Sequence, residues 1–248
     1  MGSFTEHALR HRGLLPASVA RDTPARAAVW RALGTLPATA FTTPPLLHDQ
    51  PVTERGVCRR CSHGATATAR LPGWGWVCVR HRIWLGHNQI PVATAAAILA
   101  AERRFRASLP WRGVLHDSPV MLLAGDCVAA GLLGARQLAE RAAATGISDA
   151  VALGYPEQVR LARALTHGAF LATATAPDRT DHDRTRIAAT LVATIAVPGG
   201  DAEPWRARAR ITALLHRLAD IRRSAAHLGA PATDPDTNLL RLIPDPRQ

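Results

Sequence analysis

The sequence has no lysine, few aromatic residues and no long apolar run. All 30 basic residues are arginine, and only 4% of the 248 residues are aromatic. Because alanine and arginine are both abundant, we interpret the missing lysine as the codon bias of a GC-rich genome. Crossing a bilayer takes about 20 consecutive apolar residues, and the polar N-terminus lacks the apolar core of a signal peptide. We therefore expect a cytoplasmic protein that does not enter a membrane.

Several motifs of enzyme active sites are also missing. A zinc deaminase would need His-x-Glu together with Pro-Cys-x-x-Cys, and neither occurs. A phosphate-binding loop of the P-loop type requires a lysine, and the Gly-x-Ser-x-Gly motif of serine hydrolases is absent. We therefore predict that the chain is not an enzyme.

Positive charge is concentrated in one part of the chain. The formal net charge is +11, and residues 54–112 contain ten arginines against two glutamates, whereas residues 118–248 have a net charge of only +2. Localised positive charge is typical of proteins that bind nucleic acid or another polyanion. An arginine-rich solvated surface is the alternative, and charge alone does not distinguish the two.

Helix signals dominate outside residues 51–90. Caps, prolines and apolar periodicity predict helices at about 95–109, 119–131, 134–145, 155–173, 183–196 and 203–228. In the last of these, apolar residues at three-and-four spacing predict a buried stripe: Trp205, Ile211, Leu214, Leu215, Leu218, Ile221 and Leu228.

These patterns predict a mainly α protein with a small embedded zinc ribbon of short β-hairpins near residues 51–90. We expect an N-terminal helical segment at 1–50, the ribbon at 51–90, a helical domain at 91–228 and a loose C-terminal tail at 229–248. The tail is rich in proline and aspartate.

Three cysteines and one histidine form the most specific pattern in the chain, Cys58-x2-Cys61-x16-Cys78-x2-His81. A gap of two residues lets both side chains of a knuckle reach one ion, and a spacer in the middle teens suits a second knuckle. Three thiolates and one imidazole close a tetrahedral site and leave no position for a substrate water. We therefore predict one structural Zn²⁺, with His63 and His87 as alternatives to His81.

Arginines accompany these ligands along the sequence. Arg59 and Arg60 lie inside the first knuckle, and folding around zinc would bring them close to the two arginines beside His81. Guanidiniums there could contact phosphates, donate to the thiolates or pair with acids. The candidate nucleic-acid contacts are Arg59, Arg60, Arg80, Arg82, Arg103, Arg104 and Arg106.

Three further features have structural interpretations. Trp74, Trp76 and Trp84 are predicted to pack the ribbon rather than to stack on bases. Cys127 lies in an apolar run and is predicted to be a small buried residue. The acidic run at 178–183 precedes a helical pattern, which favours helix N-capping over cation binding.

The Cys-rich segment resembles the TniQ family, which includes the TnsD-type target-selection proteins of bacterial transposons. That family carries a Cys-Pro-x-Cys knuckle, a Trp-containing stretch and Cys-Pro-x-His. The two knuckles here match it, although Arg59 and Val79 replace the knuckle prolines and a further Cys pair downstream is absent. The similarity extends over about residues 24–109.

The resemblance implies a non-catalytic adaptor that recognises a target, on DNA or through an RNA-guided complex, and recruits a transposition ATPase. Two alternatives remain open from the residues. One is a zinc-ribbon transcription regulator or defence component, and the other is a protein-interaction scaffold that does not touch DNA.

Overall fold

The computed structural model describes the regions that surround the two knuckles and form the helical body. These are residues 55–66, 68–69, 75–86, 88–196 and 203–227, with three isolated residues, Gly13, Ala28 and Ala32. Two compact units divide the chain, Met1–Thr43 and Pro44–Gln248. The expected N-terminal helical segment at 1–50 and the tail at 229–248 fall almost wholly outside the described residues, as do Trp74, His87 and Leu228.

Helices make up most of the described part of the second unit, as the sequence predicts. A 3-10 turn at Pro110–Arg112 and a π turn at Val128–Leu132 supplement the α-helices. Over the described ranges the α-helices are α1 (Ala96–Ser108), α2 (Pro119–Cys127), α3 (Ala135–Thr145), α4 (Ala150–Leu165), α5 (Gly168–Ala174), α6 (Asp181–Ile195) and α7 (Pro204–His227).

Short antiparallel strands occupy the segment around the two knuckles. A two-stranded pair joins β1 (Arg55–Gly56) to β2 (Thr68–Ala69). A three-stranded sheet has the order β3 (Val77–Cys78), β4 (Ile83–Trp84) and β5 (Ile90–Pro91). The prediction of a mainly α protein with a small antiparallel sheet in this segment is therefore confirmed.

The helix predicted at 155–173 is instead two helices with an earlier start. The Asp149 carboxylate accepts a hydrogen bond from the Ala152 N–H at 3.0 Å, so it caps α4 five residues before the predicted boundary. Pro156 lies inside α4 as a result. The chain leaves the helix at Thr166 and resumes it at Gly168 as α5. At α6, Thr180 and Asp183 form a capping box, which agrees with the N-capping interpretation of the acidic run.

One continuous apolar core joins the sheet to the helices. Helix α4 packs against α1 and α2, and α6 packs against α7. Fully buried members include Trp84 from β4, Phe105 from α1 and Tyr155 from α4. Burying a large apolar side chain stabilises a fold by about 1.5–3 kcal/mol, so the sheet is part of the folding unit rather than an appendage.

The apolar stripe of α7 is buried along most of its predicted length, with Trp205 as the exception. Ile211, Leu215 and Leu218 are almost fully buried, whereas Trp205 is 55% exposed. Trp205 lies two residues before the buried Ala207, and a two-residue step turns a side chain about 200° around the helix. Its ring therefore faces away from the core, where the Arg206 guanidinium lies 5.2 Å from the ring centroid.

Helices α2 and α3 meet at a sharp bend through the π turn. Gly131 has a φ of 126°, and a Cβ there would lie 2.7 Å from the Glu203 carbonyl oxygen. Only glycine combines that backbone angle with that close approach. No single described helix has the length and apolar character to cross a membrane; Pro119–Leu132 and Ala135–Thr145, bent by 105°, satisfy length and composition only as a pair.

Candidate metal centre

The four predicted ligands come together in a cluster that could hold a metal ion. The Sγ atoms of Cys58, Cys61 and Cys78 and a ring nitrogen of His81 all lie within 4.8 Å of one another. The Cys61 and Cys78 Sγ atoms are 3.7 Å apart. The His81 Nδ1 lies 3.6 Å from Cys58 Sγ, 3.2 Å from Cys61 Sγ and 3.7 Å from Cys78 Sγ. We call these four residues the metal cluster.

These separations test whether zinc would fit. A tetrahedron built on zinc–sulfur bonds of about 2.3 Å and zinc–nitrogen bonds of about 2.0–2.1 Å has S···S edges of roughly 3.8 Å and S···N edges of roughly 3.6 Å. Three of the four measured separations agree to within about 0.2 Å, and the Cys61–His81 separation is shorter by about 0.4 Å. These four of the six edges therefore fit a four-coordinate shell, and the two S···S edges from Cys58 are within 4.8 Å.

Local backbone structure places each pair of ligands. In the first knuckle, residues 58–61, the Cys58 carbonyl accepts hydrogen bonds from the N–H groups of Cys61 at 2.8 Å and Ser62 at 3.1 Å. In the second knuckle, residues 78–81, Cys78 ends β3 and pairs with Ile83 of β4, so His81 lies in the turn of this hairpin. Both pairs are set by contacts within a few residues, which is why the spacing revealed them.

Of the two candidate histidines that the structure describes, His63 and His81, His81 is the one in the metal cluster. His63 is exposed, has a φ of 53° and lies outside the cluster. His81 presents Nδ1 to the three sulfurs. All four cysteines are free thiols in this structure, so no disulfide competes for them.

The thiols influence one another's ionisation. Burial acts to raise the pKa of the Cys58 thiol, but hydrogen bonds from the backbone of Cys61 and Arg60 outweigh it and lower the pKa overall. Desolvation, followed by the neighbouring Cys78 and Cys58, raises the pKa of Cys61 to about 11. Adjacent thiolates repel each other. A divalent cation bound between them would neutralise their charge and be coordinated by the sulfurs.

Gln89 joins the first knuckle to the three-stranded sheet. Its side-chain Oε1 accepts a hydrogen bond from the Arg59 N–H, and its Nε2 donates to the Val57 carbonyl, both at 2.8 Å. Sequence reasoning missed this residue because a single amide in a loop carries no periodicity or spacing signal. Its two bonds hold the backbone at residues 57 and 59 against the residue that directly precedes β5.

A buried carboxylate fastens the second knuckle to the helices. Glu102 of α1 is fully buried, and its Oε2 accepts hydrogen bonds from the Tyr155 hydroxyl at 2.8 Å and the Val77 N–H at 3.3 Å. Arg106 donates to Glu102 Oε1 at 2.7 Å and to the Val77 carbonyl at 3.0 Å. A Cβ on Gly75 would lie 2.1 Å from Glu102 Oε2, so the chain approaches this carboxylate too closely for a side chain.

Aromatic rings fill the same junction. Trp76 stacks on Trp84 with centroids 5.7 Å apart, and Trp84 meets Tyr155 edge to face at 5.1 Å. Trp76 and Trp84 therefore pack in the interior, as predicted, but they pack against the helical core as well as within the small sheet. Burial, followed by the Glu102 charge, raises the pKa of Tyr155 well above its usual value, which keeps its hydroxyl a donor.

Six of the seven candidate arginines are exposed, and none of the six forms an ion pair with a residue in the described ranges. They are Arg59, Arg60, Arg80, Arg82, Arg103 and Arg104. Arg106 differs from these six, because its bonds to Glu102 and Val77 make it part of the junction between hairpin and helix; its contact with nucleic acid stays a prediction. Many arginines of the C-terminal helices are also paired, for example Arg141 with Glu157 and Arg210 with Asp126.

Cys127 lies outside the metal cluster, as predicted. It is fully buried between α2 and α7, with its Sγ 3.9 Å from the Ala207 carbonyl oxygen. Burial raises the pKa of this thiol to about 12, so it stays protonated at neutral pH. It is neither a ligand of this cluster nor an activated nucleophile.

Comparison with known proteins adds no relative to this picture. No protein-family model, curated protein or solved structure matches the chain. The resemblance to the TniQ family therefore depends on the two knuckles and their flanking residues alone.

Proposed function

We propose that this chain is a non-catalytic, zinc-binding adaptor that contacts DNA through the arginines of its two knuckles. The observation that carries the proposal is a cluster with the spacing of a metal site, surrounded by exposed arginines that have no acidic partner among the described residues.

Zinc is the metal that best suits three thiolates and one imidazole. With all four positions supplied by the protein, the ion has no open site for a substrate, which favours a structural role. Strands of two residues are too short to be stable by themselves, so a metal would supply the missing stability. Free thiols also suit the reducing cytoplasm.

Charge favours a polyanionic partner. A zinc ion with three thiolates carries a net charge of −1, and the four arginines in and next to the knuckles, which we call the knuckle arginines, add +4: Arg59, Arg60, Arg80 and Arg82. The described acid closest to them in sequence, Glu102, is buried and bound to Arg106, so it does not offset this charge at the surface. Guanidinium groups match phosphate geometry, and DNA is the phosphate polymer that the resemblance to target-selection proteins implies.

We expect the double variant Arg59→Gln/Arg80→Gln to bind duplex DNA more weakly and with a smaller dependence on salt. Each phosphate contact contributes about 0.9 to the slope of log K against log salt, so losing two contacts should reduce that slope by about 2. Fluorescence anisotropy with a labelled duplex at several salt concentrations measures both quantities.

The matched control is Arg208→Gln/Arg217→Gln. Both control arginines are exposed on α7 and form no ion pair with a described residue, so this variant loses the same charge away from the metal cluster. Its salt slope should equal that of the unmodified chain. Equal slopes for the two double variants would contradict a contact centred on the knuckles, and no DNA binding even at low salt would favour the protein-interaction scaffold.

Two residues in the left-handed region provide a test that separates stability from binding. Arg82 and His63 have φ values of 52° and 53°, which cost about 1–2 kcal/mol for a residue with a Cβ. Glycine relieves that cost but gains freedom in the unfolded chain, so Arg82→Gly and His63→Gly should each stabilise the fold by about 0.5–1 kcal/mol. Urea denaturation measures this change.

Only Arg82→Gly removes a guanidinium. We therefore expect it to weaken DNA binding while His63→Gly leaves binding unchanged. If Arg82→Gly bound DNA as tightly as the unmodified chain, Arg82 would have no part in the contact.

We further propose that the adaptor acts in transposition, which the resemblance of the two knuckles to the TniQ family supports. It implies a transposition ATPase as the partner protein. Transposase and AAA-type ATPase genes next to this gene would support that partner, whereas an isolated gene would favour a transcription regulator.

A further inference from the structure

A second basic site lies on the helical body, in residues separate from the metal cluster. It is an open cavity of about 360 Å³ formed by the 3-10 turn, the C-terminal half of α4 and the start of α5. Its lining residues are Arg112, Arg160, Arg163, Ala164, His167 and Phe170. Half of them are arginines and none is acidic, so the cavity concentrates positive charge.

Glu157, the acid that pairs with Arg160 of the cavity wall, does not neutralise this charge. Glu157 is buried and accepts hydrogen bonds from Arg141 at 2.7 and 3.0 Å and from Arg160 at 2.5 Å. One carboxylate shared by two arginines leaves a net charge of +1. Arg112 and Arg163 add two further charges at the cavity wall.

Arg112 and Arg163 are arranged as an anion site would require. Arg112 Nη1 is fixed by hydrogen bonds to the Arg163 carbonyl at 2.9 Å and the Thr166 hydroxyl at 3.1 Å, which leaves its other nitrogens as donors. Arg163 Nε is buried and has no hydrogen-bond partner among the described residues, so an anion in the cavity would meet the Nη nitrogens of this guanidinium. Burial, followed by the Arg163 charge, lowers the pKa of Arg112, as expected for two guanidiniums that repel each other.

The remaining wall indicates what kind of anion fits. Phe170 and His167 contribute aromatic rings to the same cavity, and a planar base stacks favourably on such rings. The volume is at the small end of the usual range for ligand pockets, about 300–1,000 Å³, which suits one nucleotide inside the cavity.

We infer that this cavity binds a nucleotide, with its 5′-phosphate held by Arg112 and Arg163 and its base against Phe170. The nucleotide is either a free mononucleotide or the phosphorylated 5′ end of a strand, since the two share the same chemistry. The inference does not depend on zinc or on the knuckle arginines, so either proposal can fail alone.

Isothermal titration of the full-length, metal-loaded chain with AMP tests the inference. We expect one AMP per chain, weaker binding of ribose 5-phosphate and of inorganic phosphate because they lack the base, and no binding of adenosine because it lacks the phosphate. Arg163→Gln should weaken AMP binding by about tenfold or more, the loss expected for one charge-assisted hydrogen bond. Arg217→Gln removes the same charge outside the cavity and should leave the affinity unchanged.

Stability distinguishes a binding role from a structural role for Arg163. Because its Nε has no partner and its charge opposes Arg112, Arg163→Gln without ligand should melt at the same temperature as the unmodified chain or higher. A raised melting temperature of the unmodified chain with AMP gives a readout that needs no variant. No AMP binding at millimolar concentration, or equal AMP affinity in Arg163→Gln, would overturn the inference.

The source of the phosphate is settled by two short single strands of one sequence, with and without a 5′-phosphate. A preference for the phosphorylated strand that Arg163→Gln abolishes supports binding of a strand end. If both strands bind equally while AMP still binds to this cavity, the natural ligand is a free mononucleotide.

Discussion

Replacing His81 by alanine is expected to remove the metal and to unfold the two knuckles, whereas replacing His63 by alanine should change neither. His81 Nδ1 lies within 3.7 Å of all three sulfurs of the metal cluster, and His63 is exposed outside it. Structural zinc contributes about 10–16 kcal/mol of apparent binding free energy in small zinc-finger peptides. Strands of two residues cannot replace a contribution of that size.

Metal analysis and tryptophan fluorescence together measure this effect. The zinc content should fall from one to nearly zero per chain in His81→Ala and stay at one in His63→Ala. Trp76 and Trp84 lie between the sheet and the helices, so their emission should shift to the red when the sheet loosens. Far-UV circular dichroism should change less, because most of the helical core is formed by residues outside the sheet.

A chelator and a cysteine control complete the test. Removing the metal from the unmodified chain should reproduce the fluorescence of His81→Ala. Cys127→Ala changes a cysteine outside the metal cluster and should retain one zinc per chain. A His81→Ala variant that held zinc with undiminished affinity would show that His81 is not a ligand and would return the fourth position to the segment that contains His87.

The metal cluster could be predicted from the sequence because its geometry is local. Cys58 with Cys61, and Cys78 with His81, are each placed by one turn of chain, and only the spacer between the two knuckles is long. Gln89 and Glu102 could not be identified in the same way, because each acts on a backbone group about 25 to 32 residues distant. Such single polar contacts leave no periodic pattern.

Arg106 shows what a local rule adds to the charge pattern. In the sequence it resembles Arg103 and Arg104, and the charge pattern predicts all three as nucleic-acid contacts. Glu102 and Arg106 are four residues apart on one helix, a spacing that favours an ion pair. The structure contains that pair with the carboxylate buried, so Arg106 positions the hairpin while its two neighbours remain exposed.

Trp205 is a residue whose burial the periodicity predicts wrongly. Its apolar character placed it in the predicted stripe, but the helix turns it away from the neighbours that bury Ile211 and Leu215. Periodicity predicts where a side chain points only when it is known which side of the helix faces the core. For α7, the elements that pack against it, α6 and the π turn, decide which side that is.

The contact between α1 and the second knuckle carries the other large expected effect. Replacing Glu102 by alanine should lower the free energy of unfolding by about 3–5 kcal/mol, as for a buried ion pair that loses one partner. The variant leaves the Tyr155 hydroxyl and the Val77 N–H without their acceptor inside the core. An unsatisfied buried donor costs about 1–3 kcal/mol, and the Arg106 guanidinium loses its counter-charge as well.

Two matched variants separate the buried contact from the loss of a glutamate. Glu102→Gln keeps one oxygen as an acceptor for Tyr155 and Val77 but presents an N–H₂ group to the Arg106 donor, so its loss should be intermediate, about 1–3 kcal/mol. Glu140 forms an i,i+4 pair with Arg136 on the surface, with both side chains more than 60% exposed. Glu140→Ala should therefore cost less than about 0.5 kcal/mol.

Urea unfolding measures these free energies, and metal content decides what they mean. The hydrogen-bond partners of Glu102 are Val77, Arg106 and Tyr155 rather than the metal ligands, so Glu102→Ala should retain one zinc per chain while the emission of Trp76 and Trp84 changes. Tyr155→Phe combined with Glu102→Ala should be less destabilised than the sum of the two single variants, because both break the same hydrogen bond. If Glu102→Ala were as stable as the unmodified chain, the buried carboxylate would not be what joins the metal cluster to the helices, and that role would pass to the packing of Trp84 against Tyr155.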